Sequence, residues 1–356
     1  MATTAYGVNH PLTVKLWRKK LFREALKETF VSRFMGEGSD NVIQVQTETS
    51  KSAGDRITIG LRMQLTGDGI LGDSTLEGSE EALATYQDNL LIDQLRHAVR
   101  SDGKMSEQRV PFSVREEAMA GLRDWWADRI DTAFFNHVCG NTGASDTRYT
   151  GGNATLAATT TSGNTRIFFG GVSTTENSLS AESGSANFQL TMIDKAIAIA
   201  QTAVPLIRPV RTSQGPKFVA FLHPWQVYSM RTDATAARVT WYDTQKARVT
   251  GGELDNGIYN GALGEYNGVI LHQSTRIPAA PAQTTVRRAV FCGAQAAAFA
   301  VGQDNSPDEM SWVEELFDYK NQLGVSAGMI WGLKKLQFNA TDFGTIVMSS
   351  HAEAPA

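Results

Sequence analysis

Residues 57 to 65 constrain this chain more than any other stretch. Ile57, Ile59, Leu61, Met63 and Leu65 alternate with Thr58, Gly60, Arg62 and Gln64. A period of two gives one apolar and one polar face, the signature of an extended strand. The strand runs into TGDGILGDSTLEGSEE, residues 66–81, rich in glycine and acid. Apolar residues return at Leu83, Tyr86, Leu90, Leu91, Ile92 and Leu95 and read as one second long strand. The pair makes a hairpin. No apolar run lies near its tip to bury it, so the tip is expected to project.

Other segments read in order. Val14 to Phe30 suits a helix, with Trp17, Leu21 and Ala25 at spacings of four. Ile43, Val45 and Thr47 alternate as a short strand, and Ser52 to Asp55 is expected to turn it into the strand at 57. Pro111 to Cys139 is the strongest helix. Ser113 with Glu116 forms a capping box, and Gly140 is the stop. At ~1.5 Å per residue it is ~40 Å long, enough for the spine of a flat domain.

Residues 141–187 contain 29 Ser, Thr, Gly or Asn among 47 positions. That composition suggests a long loop or short hairpins. A helix is expected from Thr191 to Ala203. Phe218 to Pro224 reads as a buried strand followed by a helix. Further strands are expected at 269–273, 286–292, 310–319, 328–336 and 345–349, then a loose tail from His351.

Charge is uneven. Residues 1–33 carry seven basic and two acidic side chains, while residues 34–93 carry three basic and eleven acidic ones. A basic arm followed by an acidic segment points to contacts between chains or with a genome. The candidate contact residues are Lys15, Arg18, Lys19, Arg23 and Lys27 on the arm, and Asp68, Asp73 and Glu77 on the tip. An ordinary solvated helix face is the plain alternative for the arm. The net charge of −4 excludes a chain that coats nucleic acid with its whole surface.

Catalytic and cofactor readings find little support. Gly67, Gly69 and Gly72 match a dinucleotide fingerprint, but no helix is expected to follow, and Asp68, Asp73 and Glu77 would repel phosphate. Asp68 and Asp73 lack calcium-loop spacing, and the six histidines are scattered. Cys139 and Cys292 read as reduced, buried thiols. No catalytic, cofactor or metal residue is assigned. No secretory leader or membrane-length run appears, so synthesis in a cytosol is expected.

Several stretches resemble a known family: Thr4-Ala-Tyr-Gly, Phe34-Met-Gly, Ser50-Lys-Ser-Ala-Gly-Asp-Arg-Ile, Leu65-Thr-Gly-Asp-Gly and Ile92-Asp-Gln-Leu-Arg-His. The list continues with Met105-Ser-Glu-Gln-Arg, Phe221-Leu-His-Pro, Gly264-Glu-Tyr-Asn-Gly-Val, Asp318-Tyr-Lys-Asn-Gln-Leu-Gly-Val and Asp342-Phe-Gly. Their joint order resembles the major capsid proteins of tailed bacteriophages, coliphage N-four type, within the Hong Kong 97-like capsid fold.

The resemblance implies an α+β fold: an N-terminal arm (1–40), an extended hairpin loop with flanking strands (41–104), a peripheral-domain spine helix (105–140), an axial domain with a Ser/Thr/Gly-rich insertion (141–305), and a C-terminal return through the peripheral domain (306–356). It implies hexamers and pentamers of an icosahedral head around double-stranded DNA. Implied partners are copies of itself, a separate scaffolding protein, a portal and a decoration protein, with no membrane. Its implied place is the virion, after assembly in the host bacterial cytoplasm. The covalently linked prototype uses a lysine on the extended loop, and residues 66–82 here contain none. The rival readings are an encapsulin compartment of the same fold and, from a different class, a nucleotide-dependent oxidoreductase built on Gly67 to Gly72.

Overall fold

The computed structural model describes residues 29–47, 54–73, 75–111, 113–161, 164–182, 186–213, 215–232, 263–302 and 311–355. The helix expected over Val14 to Phe30 lies outside these residues, apart from its last two positions, Thr29 and Phe30, which precede and open a 3-10 turn at Phe30–Phe34.

The spine helix runs Val114–Val138, and the Ser113 hydroxyl accepts the Glu116 amide at its start. Leu122, Trp126, Ile130 and Phe134, four apart, are fully buried. From Ala133 to Val138 every residue is buried, so the helix passes from the surface into the centre of the molecule. It stops at Gly140, whose φ of +65° suits glycine.

Two large sheets flank this helix. One is six-stranded, with the order Met35–Gly36, Ile43–Gln46, Ala297–Val301, Gln322–Lys335, Ser311–Phe317. Asp93–Arg100 also joins it, along the long strand Gln322–Lys335. The other is eight-stranded. Its main order is Ile167–Phe169, Thr345–His351, Gln283–Cys292, Gly215–Leu222, Val269–Gln273, Gly264–Tyr266.

Alternation decides what each face touches. Val219 and Phe221 join the core around the spine helix. Phe218, Ala220 and Leu222 join a second core against the helices Leu190–Thr202 and Pro224–Thr232. In the six-stranded sheet, Ala297, Phe299 and Val301 face the spine core, while Ala298 and Ala300 face a third core with the hairpin.

Several expectations need correction. The second hairpin strand is two strands, Thr85–Leu91 and Asp93–Arg100, in different sheets. The handover is fixed by Asn153, whose side chain accepts the Leu91 amide at 2.9 Å and donates to its carbonyl at 2.8 Å. Gly332 is required there, because a Cβ would lie 2.1 Å from the Leu91 carbonyl oxygen.

The strands at 43–46 and 56–62 do not pair, so a turn at Ser52 to Asp55 forms no hairpin between them. Residues 141–187 are not a set of hairpins: Ile167–Phe169 pairs in parallel with Thr345–His351, and Glu176–Ala181 is helical. His351 and Ala352 are buried and not a loose tail. The strand Ala297–Val301 was not expected at all. Both its faces are buried, so its sequence shows no alternation to read.

Candidate assembly surfaces

The hairpin is Arg56–Arg62 paired antiparallel with Thr85–Leu91, in register from Arg56 opposite Leu91 to Arg62 opposite Thr85. Ile57, Ile59 and Leu61 are half-buried and face Leu90, Leu336, Phe338 and Phe343. The paired ladder ends at Arg62, three residues before the apolar alternation does, although the Met63 amide still bonds Ala84 at 3.0 Å.

Beyond it, every described residue from Gln64 to Thr85 is exposed. Gly69 and Gly72 take left-handed backbone and no helix follows, which removes the dinucleotide reading. Glu81 closes the loop base: its carboxylate accepts the amides of Thr66 at 2.8 Å and Gly67 at 2.7 Å. Those backbone bonds hold its pKa below the usual glutamate range.

The tip carries Asp68, Asp73 and Glu77 in solvent, as expected of a projecting acidic loop. They do not converge on a metal site, and no group of three candidate ligands occurs among the described residues. Leu71 is 88% exposed and Leu76 is 60% exposed. Sequence reading passed over these two because they belong to no periodic pattern.

The stem is tied to the body by charge. Asp88, buried in the hairpin, pairs with Lys334 and accepts the Gln337 amide at 3.0 Å. Below it, Lys335 and Asp342 form an ion pair at 2.9 Å with both side chains fully buried. Asp342 also accepts the Thr159 amide at 3.1 Å and the Gln337 side chain at 2.6 Å. Burial lowers the Lys335 pKa, and the Asp342 carboxylate opposes that shift.

The arm residues Lys15, Arg18, Lys19, Arg23 and Lys27 lie outside the described residues. Where the arm joins the body, Asp131 of the spine helix accepts the amides of Phe30 at 3.0 Å and Val31 at 3.1 Å, and pairs with Arg276 at 2.9 Å. Burial raises the Asp131 pKa against those bonds. The backbone at Phe30 and Val31 is therefore fastened to the spine helix.

Cys139 and Cys292 are buried and unbonded to each other, and burial pushes the Cys139 thiol up to about 12. His137 is buried and lowered to about 4, mainly by desolvation.

The molecule thus has a packed body, a chain held to the spine helix at Phe30 and Val31, and an exposed hairpin loop. Known proteins share its design. The chain is 29% identical over 363 residues to the major capsid protein of Pseudomonas phage KPP25, covering 93% of each. The capsid of Ralstonia phage GP4 superposes with a TM-score of 0.77 at 29% identity over the full length of both chains. The Cyanophage Pam1 capsid superposes at 0.72 with 19% identity, over 93% of this chain and 94% of that one. Residues 4–354 match the phage capsid protein family. With that match spanning nearly all of a Hong Kong 97-like fold, the chain belongs to the phage capsid protein family.

Proposed function

We propose that this chain is the major subunit of an icosahedral phage head, closing into hexamers and pentamers around double-stranded DNA and turning over no substrate. The observation that carries this reading is the hairpin: a stem fastened to the core and a tip wholly in solvent. One chain must make several different contacts with copies of itself, and a loop on a fixed stem can bend between them while the body stays rigid. Purified protein should sediment as capsomers or closed shells. A stable, well-folded monomer at high concentration would contradict it.

The division into arm, hairpin loop, spine, axial domain and C-terminal return is part of this proposal. So are a separate scaffolding protein, a portal, a decoration protein and assembly in the bacterial cytoplasm. Subunits are held without isopeptide bonds, because residues 66–82 supply no lysine amine. Shells boiled in detergent should return a single band of subunit mass, and a ladder of covalent multimers would refute this.

The basic arm lies against a neighbour's acidic segment or faces the packaged DNA. Reversing Arg18, Lys19 and Arg23 to glutamate should leave the monomer folded and flatten the salt dependence of association. Single exposed pairs contribute ~0–1 kcal/mol each, but the effect repeats at every subunit. If DNA is the partner, empty shells form normally and only packaged heads suffer. Normal assembly and packaging would leave the arm as a solvated face.

A further inference from the structure

Lys335 ends the long strand Gln322–Lys335, and Asp342 stands on the short strand Thr341–Asp342. Met329, Trp331 and Leu333 face the spine core, and Lys335 follows them at the same two-residue spacing. Alternation thus carries an ammonium group into the interior. Its Nζ lies 2.9 Å from Oδ1 of Asp342, and both side chains are shut off from solvent.

The partners are held in place from several sides. The Thr159 amide donates to Oδ2 of Asp342 at 3.1 Å, and the Gln337 side chain donates to Oδ1 at 2.6 Å. The Asp342 amide donates to the Thr159 hydroxyl at 2.9 Å, and buried Arg166 donates to the Asp342 carbonyl at 3.1 Å. Lys335 donates to the Ala157 carbonyl at 3.2 Å. The turn between the two partners has Asn339 and Ala340 in left-handed backbone, with φ of +49° and +55°. Such backbone at an alanine persists only where its surroundings over-determine it.

We propose that Lys335 and Asp342 condense into an isopeptide bond within the chain, releasing one water. The ammonium passes a proton to Oδ1, leaving a neutral amine and a carboxylic acid. Nζ then attacks Cγ, and the electron pair of the carbonyl moves onto Oδ2, where the Thr159 amide stabilises the oxyanion. A second proton moves from Nζ to Oδ1, the Cγ–Oδ1 bond breaks, and Oδ1 leaves as water. No oxidant or co-reactant is needed.

Three features of the site favour this outcome. The reacting groups are already in contact, so no ordering is required. Burial disfavours the ammonium and lowers the Lys335 pKa, although the Asp342 carboxylate opposes the shift. The product replaces two buried charges with a neutral amide, which removes the desolvation cost of the ion pair. The bond would tie down the floor on which the hairpin stem rests, where Leu336, Phe338 and Phe343 receive Ile57, Ile59 and Leu61. Being within one chain, it adds no multimer to a denaturing gel. It is independent of the shell-building reading above.

The test is peptide mass spectrometry of the unaltered, folded chain after denaturation and trypsin digestion. Trypsin should cut after Lys334, leave Lys335 uncut, and release one peptide carrying both partners that is lighter by one water. The control is Lys335→Arg, which keeps a cation for Asp342 but no amine that can condense in this way. Its peptides should all have their full sequence mass. A peptide of full mass beginning at Leu336 as the main product of the unaltered chain would overturn the inference. So would the same loss of water in the arginine variant, because it would place the loss on the aspartate alone.

Discussion

Deleting residues 67–80 should leave the subunit folded and strongly impair shell closure. Every described residue in that stretch is exposed, so the core loses nothing and circular dichroism should change little. Assembly loses Leu71 and Leu76. Burying a leucine contributes ~1.5–3 kcal/mol, so two per contact account for ~3–6 kcal/mol. At ~1.4 kcal/mol per factor of ten, the concentration needed for assembly should rise ~100-fold or more. Light scattering against protein concentration measures this. If the deletion unfolds the subunit, the tip is packed internally and the hairpin has been misread. If shells close at the original concentration, the tip makes no useful contact.

Asp342→Ala should destabilise the subunit by ~3–5 kcal/mol, the usual effect of leaving a buried charge without its partner. Lys335 would remain fully buried, with the Ala157 carbonyl at 3.2 Å as its remaining acceptor. The Thr159 amide and the Gln337 side chain would lose an acceptor as well. The damage falls where the hairpin stem, the segment around Thr159 and the long central strand meet, so assembly should fail along with stability. Lys335→Met should be milder. Methionine leaves no buried cation, and Asp342 keeps the Thr159 and Gln337 donors. Chemical denaturation of the two variants measures the difference. Equal losses would mean that the Asp342 carboxylate left behind costs as much as the Lys335 ammonium left behind.

How much of this was legible depended on whether one face of an element meets water. The spine helix could be read from residues 111–139 because its first half has one buried face and a capping serine. The first hairpin strand could be read because Thr58, Gly60 and Arg62 keep its outer face polar. Ala297–Val301 could not, since a strand covered on both faces shows only an apolar run. The break at Leu91–Ile92 was equally hidden. It is set by Asn153 and Gly332, far away in sequence, and local pattern carries no trace of them.

The candidate site divides in the same way. Acids on a glycine-rich loop mark the exposed tip by composition, so Asp68, Asp73 and Glu77 could be read as solvent-facing. Leu71 and Leu76 were missed, because isolated leucines in a loop look the same whether they are buried or bare. The pairing of Lys335 with Asp342 was missed for a different reason. Thr159 joins them only through the tertiary fold, and no spacing brings it to residues 335–342. Arg166 holds Asp342 from within a segment whose composition suggested only loop.

If this chain builds a closed shell from copies of itself, electron cryo-microscopy of particles formed by the purified chain will show it. The expected result is icosahedral shells in which each hairpin crosses onto a neighbouring subunit. Monodisperse single subunits, or oligomers whose hairpins fold back on their own chains, would contradict it.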